Sequence, residues 1–386
     1  MSRLIQLPGA MLLALAVAVL ALSANAQDAA KPAGEPAKHI DVVICLDVSN
    51  SMDGLIASAK NKLWDIVNEL ARIKPAPNLR VALYSYGNDD YDPKVGWVRK
   101  DLDLTTDLDG LYQKLFALRT HGGTEYVTRV CRDAVRDLSW SKDKAALKLI
   151  FVCGNEPASQ DPLVKLKEAA DFAIKHGVVI NPIYCGNSDD NDARDWRELA
   201  GLSGGRFAAI DQNKGQVAIA TPFDKQLAEL GVQLNDTYVC YGKDGKNKAD
   251  AQKDVSRLSL QQGAGVAAGR TLSQNSGLYQ GKNSAWDLVD RIKEDPKLDI
   301  TKIPDADLSE ELRKLKPAER VTYVKDMSAK RETLQKEITT IDAKRQAFIS
   351  AEMKRNPNPA ARAFDAAINE ALRTQAAAKG IIIPKE

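Results

Sequence analysis

The segment from Asp41 to Met52 most constrains the fold of this chain, because it places an apolar run directly before a cluster of small polar residues. The run from Val42 to Leu46 has no polar interruption, which is typical of a strand buried on both faces of a parallel sheet. Asp47 ends the run, and Ser49 and Ser51 follow at alternate positions. One loop therefore carries a carboxylate and two hydroxyl oxygens, the donor types that hard divalent cations prefer.

Beyond that segment the pattern alternates strands with helices, which predicts an α/β fold with a doubly wound, mostly parallel six-stranded sheet. The predicted strands are 40–47, 79–86, 95–102, 147–153, 178–184 and 205–210. The predicted helices are 53–73, 107–118, 125–139, 161–176, 192–201 and 221–234. The link from Gly87 to Lys94 is too short for a helical crossover, so it predicts a hairpin and one antiparallel edge strand. In such sheets, ligands bind beyond the carboxyl ends of the strands.

Two loops carry a family resemblance. Asp47, Ser49 and Ser51 form an Asp-x-Ser-x-Ser loop after an apolar strand, and the segment from His121 to Thr124 reads His-Gly-Gly-Thr. These loops resemble two parts of the metal-ion-dependent adhesion site of von Willebrand factor A domains, which have a Rossmann-like fold. The third loop of that family carries an aspartate, whereas this chain has Gly154 in that place. The resemblance covers about half of the chain.

The resemblance implies a divalent cation at the end of the sheet, with Mg²⁺ expected and Mn²⁺ or Ca²⁺ as alternatives. It implies that Ser49, Ser51 and Thr124 are direct ligands and that Asp47 acts mainly through bound water. A carboxylate of a partner would then fill an open position on the metal. The residues that could substitute for the missing third-loop aspartate are Asn155 and Glu156. A simpler alternative is that Ser49 and Ser51 only cap the helix that follows.

Acidic residues follow the second and fifth predicted strands, and Glu125 and Glu156 lie beside the expected ligands. We expect this edge of the sheet to be electronegative and to favour cations or a basic partner. The alternative is that these residues serve only as solvated turns and helix starts, where acidic side chains are common. The predicted partner-binding rim consists of Asp89, Asp90, Asp189 and Asp190.

Residues 1–26 are interpreted as a secretory signal peptide. The apolar part from Met11 to Leu22 is too short to span a bilayer comfortably, and residues 24–26, Ala-Asn-Ala, resemble a cleavage signal. Residues 27–38 are predicted to form a flexible linker. The expected location is therefore periplasmic or secreted, with an uncleaved membrane anchor as the alternative.

Composition argues against several other functions. A formal net charge of +2 gives no indication of binding to nucleic acid or to an anionic membrane. The five cysteines leave at least one thiol unpaired. Cys45, Cys153 and Cys185 fall in predicted strands, where free thiols are expected, with a disulfide between Cys153 and Cys185 as the alternative. The three histidines fit no nucleophile–base pattern, so we predict that the protein is not an enzyme.

The chain after the expected A-like domain, 39–236, divides into two parts. Residues 237–300 form a polar segment without a fold assignment, and residues 301–386 predict a helical region. Positions spaced alternately by three and four residues form a mainly apolar seam, which is typical of a helical hairpin or coiled coil. We expect the seam to pack within the chain, with homo-oligomerisation through these helices as the alternative. The seam consists of Val324, Met327, Arg331, Leu334, Ile338, Ile341, Arg345, Phe348 and Glu352.

Together these patterns predict an exported, non-enzymatic module that engages a protein or cell-envelope partner through a divalent cation. The alternative is a metal-independent structural scaffold that assembles through its C-terminal helices. These two hypotheses differ in whether binding depends on a divalent cation.

Overall fold

The computed structural model describes residues 38–210, 219–355 and 359–383, without the side chains of 359–365. The predicted signal peptide and all of the predicted linker except its last residue lie outside these ranges. Six strands form one sheet in the order β3-β2-β1-β4-β5-β6. They are β1 (His39–Asp47), β2 (Asn78–Tyr86), β3 (Val98–Thr105), β4 (Leu147–Gly154), β5 (Val179–Tyr184) and β6 (Ala208–Ala209).

The sheet confirms the predicted fold class. β1 lies in the interior of the sheet and pairs in parallel with β2 and β4, while β3 runs antiparallel to β2 at one edge. β5 pairs in parallel with β4 and with the short edge strand β6. Alternate residues of β1 enter two separate hydrophobic clusters: Val42 and Ile44 lie in one, and Val43 and Cys45 in the other. The uninterrupted apolar run is therefore explained by burial on both faces of the sheet.

Helices cover both faces of the sheet. They are α1 (Ile56–Leu70), α2 (Leu108–Ala117), α3 (Val127–Asp137), α4 (Leu166–Lys175) and α5 (Ala193–Ser203). α1 and α2 pack on one face, and α3, α4 and α5 pack on the other. Two predicted strands differ in extent: β3 begins at Val98 because residues 93–95 form a 3₁₀ turn capped by Asp92, and β6 has two residues.

The segment that the sequence left without a fold is largely helical. The C-terminal helices are α6 (Asp224–Asn235), α7 (Gly245–Gln262), α8 (Ala264–Gln274), α9 (Leu288–Glu294), α10 (Glu310–Arg313), α11 (Pro317–Arg355) and α12 (Pro359–Ala377). α11 packs on α6, α8 and α9, whereas α12 packs against β6. The two helices thus use different partners, in contrast to the helical hairpin that was one of the predicted arrangements. Within the described ranges, no helix combines the length and the apolarity needed to cross a membrane.

The seam of α11 is covered by the same chain. Val324, Leu334 and Ile338 are buried in clusters with side chains from α6, α8 and α9. This packing accounts for the three-and-four spacing without a second copy of the chain.

Arg331, at one of the polar seam positions, joins α11 to the start of α9. It is 2% exposed, and its Nη1 donates to Asp287 at 2.7 Å and to Asp290 at 3.0 Å. Its Nη2 donates to the carbonyl of Thr237 at 2.7 Å, and the guanidinium lies 4.1 Å from the ring centre of Tyr238. Asp287 also caps α9, so one buried charge network holds three segments together.

Replacing Arg331 by Met is expected to lower the free energy of unfolding by about 3–5 kcal/mol, because two buried carboxylates then lose their cation. The matched control is Arg355→Met on the same helix, where the arginine is 75% exposed and pairs with Glu352. That control should leave stability almost unchanged. Urea denaturation of both variants measures the effect, and equal losses would contradict this role for Arg331.

Candidate functional site

Backbone hydrogen bonds bring the first two predicted loops together at the carboxyl end of β1. Val48 N–H donates to the carbonyl of Tyr86 at 2.9 Å, which continues the pairing of β1 with β2. The carbonyl of Val48 accepts from His121 N–H at 2.9 Å, and Asn50 N–H donates to the carbonyl of Gly122 at 2.7 Å. The loop that carries Thr124 is therefore tied directly to the Asp-x-Ser-x-Ser loop.

Asp47 is buried at the base of this site and is only partly satisfied. Its side chain is 1% exposed, and Oδ1 accepts from the backbone N–H of Ser49 at 2.8 Å. Oδ2 is also buried and has no hydrogen-bond partner among the described residues. Burial raises the pKa of Asp47 to about 7, and the nearby charges of Glu125 and Glu156 add to this effect, against the lowering effect of Ser49.

Asp41, at the other end of β1, shows what a fully paired aspartate looks like in this fold. It is equally buried, but Arg80 donates to its Oδ1 at 2.8 Å and to its Oδ2 at 2.7 Å. The backbone N–H of Ser141 donates to the same Oδ2 at 2.7 Å. The unpaired oxygen of Asp47 is therefore a property of the site rather than of buried aspartates in this strand.

The two serines and Asn155 form a chain of oxygen contacts above Asp47. The hydroxyls of Ser49 and Ser51 are 2.8 Å apart, and Ser51 Oγ donates to Asn155 Oδ1 at 3.0 Å. Asn155 Nδ2 donates back to the carbonyl of Ser51 at 3.2 Å. Ser49 makes no side-chain capping bond to the 3₁₀ turn Asn50–Met52, and the cap of α1 is Leu55. The helix-capping alternative is therefore wrong.

The third loop contributes through Asn155 rather than through a carboxylate at position 154. Glu156 is half-buried, and its backbone carbonyl accepts from Trp196 Nε1 at 2.8 Å. Its pKa is raised by burial and, to a lesser degree, by Asp192. Of the two predicted substitutes, Asn155 contacts the first loop, while Glu156 acts on the other acids of the site through its charge.

Glu125 belongs to the site although it was expected only beside it. It is 4% exposed, and its Cγ and the Cβ of Ser49 lie 3.0 and 3.4 Å from the position that a Cβ on Gly87 would take. Burial raises the pKa of Glu125, and the charges of Glu156 and Asp89 raise it further. In the sequence, the feature that could have indicated this role of Glu125 was its position directly after Thr124. In the part of the chain that the structure describes, no three His, Cys, Asp or Glu side chains form a metal-binding group, so hydroxyl oxygens must supply part of any cation site.

The predicted acidic rim lies at the same end of the sheet. Asp90 Oδ2 lies 3.2 Å from Nδ1 of His121, and Asp190 Oδ2 accepts from the hydroxyl of Tyr184 at 3.3 Å. β2 and β5 stand three strand spacings apart, so the two halves of the rim flank the site at a separation of about 14 Å. The rim residues Asp89, Asp90, Asp189 and Asp190 are all exposed.

All five cysteines are free thiols, as was expected for Cys45, Cys153 and Cys185. Cys153 and Cys185 lie at the ends of β4 and β5, with their sulfur atoms 3.0 Å apart in a thiol–thiol contact. Burial raises the pKa of Cys153 well above its ordinary value. These thiols thus behave as small apolar groups of the core beneath the site.

Comparison with protein-family models supports the same fold. Residues 41–220 match the model of the von Willebrand factor type A domain. Comparison with curated protein sequences gives no match. Similar solved structures include proximal thread matrix protein 1 from the mussel byssus, with a zinc-occupied MIDAS motif (16% identity, TM-score 0.37, 46% of this chain and 43% of that one).

Two bacterial structures are also similar. One is a von Willebrand factor type A protein from Catenulispora acidiphila (17% identity, TM-score 0.36, 45% of this chain and 39% of that one). The other is the conserved hypothetical protein BatB from Bacteroides thetaiotaomicron (16% identity, TM-score 0.35, 58% of this chain and 98% of that one). The chain spans less than half the length of the mussel and Catenulispora proteins.

The buried carboxylate predicts a pH-dependent stability in the presence of chelator. Because the pKa of Asp47 is about 7 in the folded state against 3.8 ordinarily, the protonated form is favoured by folding. Its contribution is complete below the ordinary pKa and is lost as pH rises through about 7. Between about pH 5 and pH 8, wild-type stability should fall by about 2–3 kcal/mol more than that of Asp47→Asn. Urea unfolding at both pH values measures this difference, and parallel profiles would contradict it.

Proposed function

Because residues 41–220 belong to the von Willebrand factor type A domain family, we propose that the carboxyl end of the sheet binds a divalent cation and, through it, a partner protein or envelope component. Domains of this family are generally non-catalytic interaction modules. The observation that carries the proposal is the buried and unpaired Oδ2 of Asp47, next to a chain of hydroxyl and amide oxygens.

The donor set fits a hard divalent cation. Ser49, Ser51 and Thr124 would be direct ligands, and Asp47 would orient water bound to the metal. Oxygen donors without histidine or thiolate favour Mg²⁺, with Mn²⁺ or Ca²⁺ as alternatives. The cation would supply the positive charge that Asp47 lacks and a coordination position open to a partner. Asn155 would hold Ser51 in place through its two hydrogen bonds.

The acidic rim favours a partner that carries basic groups around its metal-binding contact. Asp89 and Asp90 lie on one side of the site and Asp189 and Asp190 on the other, all exposed to solvent. Like charges on both flanks would attract a complementary surface and oppose an acidic one. The apolar segment from Met11 to Leu22 supports an exported setting for this interaction, in the periplasm or outside the cell.

The scaffold alternative has weaker support. It requires the C-terminal helices to present an apolar seam to a second copy, but Leu334, Ile338 and Ile341 pack against α6 and α8 of their own chain. The acidic end of the sheet would also have no role in such a scaffold. Metal-dependent binding is therefore the function that these contacts favour.

Calorimetric titration of Mg²⁺, Mn²⁺ and Ca²⁺ into chelator-treated protein tests the proposal. We expect saturable binding at one site in the wild type, and an affinity at least about tenfold lower in Asp47→Ala. Asp326→Ala, an exposed aspartate on α11, is the matched control and should bind like the wild type. Absence of binding to the wild type would overturn the proposed function and leave the scaffold alternative.

A further inference from the structure

Position 154, at the end of β4, points into the site but has no room for a side chain. A Cβ atom built on Gly154 would lie 2.9 Å from Asp47 Oδ2 and only 2.5 Å from the hydroxyl of Tyr86. The backbone of Gly154 has no positive φ, so space rather than conformation requires glycine here. Tyr86 is fully buried, and its hydroxyl donates to the carbonyl of Cys153 at 3.0 Å. This hydroxyl therefore occupies the space through which β4 would otherwise deliver a carboxylate.

Glu125 approaches Asp47 from the opposite side, at Gly87. A Cβ atom built on Gly87 would lie 2.8 Å from Asp47 Oδ1, 3.0 Å from Glu125 Cγ and 3.4 Å from Ser49 Cβ. The three side chains thus surround one point next to the end of β2. Glu125 is almost completely buried there, at 4% exposure.

The hydroxyl protons of the two serines are committed along one chain of hydrogen bonds. The hydroxyls of Ser49 and Ser51 are 2.8 Å apart, and Ser51 Oγ donates its proton to Asn155 Oδ1 at 3.0 Å. Ser49 must therefore donate its own proton to Ser51, because each hydroxyl carries one proton. The remaining lone pairs of the Ser49 hydroxyl are thus available to a cation placed beside Glu125.

We propose that Glu125 is a direct carboxylate ligand of the cation site, so that the anionic donor comes from the loop after Thr124 because Tyr86 and Gly154 exclude one from β4. This assignment rests on the proposed function, and it adds a carboxylate to the donors Ser49 and Ser51. Asp47 borders this group of donors through its Oδ1, while its unpaired Oδ2 lies on the side of Gly154. The direct donors would then be one carboxylate and three hydroxyls, with Asp47 acting through bound water, and this set suits Mn²⁺ and Mg²⁺.

Titration of Mn²⁺ into the chelator-treated full chain distinguishes the role of Glu125 from that of Glu156, the other acid near the site. Glu125→Gln keeps the size of the side chain and should lower Mn²⁺ affinity by at least about tenfold. The matched control Glu156→Gln, on the third loop, should change affinity by less than about threefold. Unchanged affinity in Glu125→Gln would overturn the assignment, as would a larger loss in Glu156→Gln. Absence of binding to the wild type would instead contradict the proposed function.

A second experiment tests whether Tyr86 and Gly154 are the reason that β4 supplies no carboxylate ligand. It moves the carboxylate from position 125 to position 154, at the end of β4. In the Glu125→Gln background, Tyr86→Phe removes the nearest obstacle at position 154, and Gly154→Asp then adds a carboxylate beside Asp47, whose Oδ2 needs to shift only slightly from its 2.9 Å approach to the new Cβ. This triple variant should bind Mn²⁺ within about threefold of the wild-type affinity. Glu125→Gln with Gly154→Asp alone should melt at a lower temperature and remain weak, because the Tyr86 hydroxyl is still present. A folded triple variant that binds no better than Glu125→Gln would contradict the role of Tyr86 and Gly154.

Discussion

The burial of Asp47 at the end of an interior strand is the constraint on which the rest of this site depends. Helices cover both faces of β1, so the side chain of Asp47 at the end of this strand is buried and has lost its contact with water. At the other end of the strand the fold neutralises Asp41 with Arg80. Around Asp47, by contrast, the fold places neutral oxygens and a second acid, Glu125. A bound cation would therefore balance the negative charge of this site better than any side chain there does.

The C-terminal region is held together in a different way. Buried or partly buried arginine–aspartate pairs stand at three of its packing contacts, with nitrogen–oxygen distances of 2.7 to 2.8 Å. Such pairs are costly to desolvate, and their mutual attraction offsets this cost only where the geometry is good and further hydrogen bonds are made. Each pair links a helix of this region to a second segment through a charged contact. The pairs are Arg270 with Asp109, Arg331 with Asp287, and Arg345 with Asp224.

Much of the sheet could be predicted because its signals are local. The apolar run before Asp47 and the short link after Gly87 are enough to indicate a buried parallel strand and a hairpin. The segment 237–300 gave no comparable signal, since α7 and α8 bury many polar side chains, such as Gln252, Ser259 and Arg270, instead of an apolar stripe. In the seam of α11, Arg331 and Arg345 interrupted the apolar pattern, and their aspartate partners are distant in the sequence.

The amino-acid sequence by itself determined the alternation of strands and helices, and it placed Asp47, Ser49, Ser51 and the loop of Thr124 at one edge of the sheet. These features follow from spacing along the chain, which sets hydrophobic periodicity and the direction of parallel strands. Only the tertiary structure decided which acid approaches Asp47 and why position 154 is glycine. Both depend on the Tyr86 hydroxyl and Glu125, which reach the site from separate elements, and packing in three dimensions alone brings them within contact.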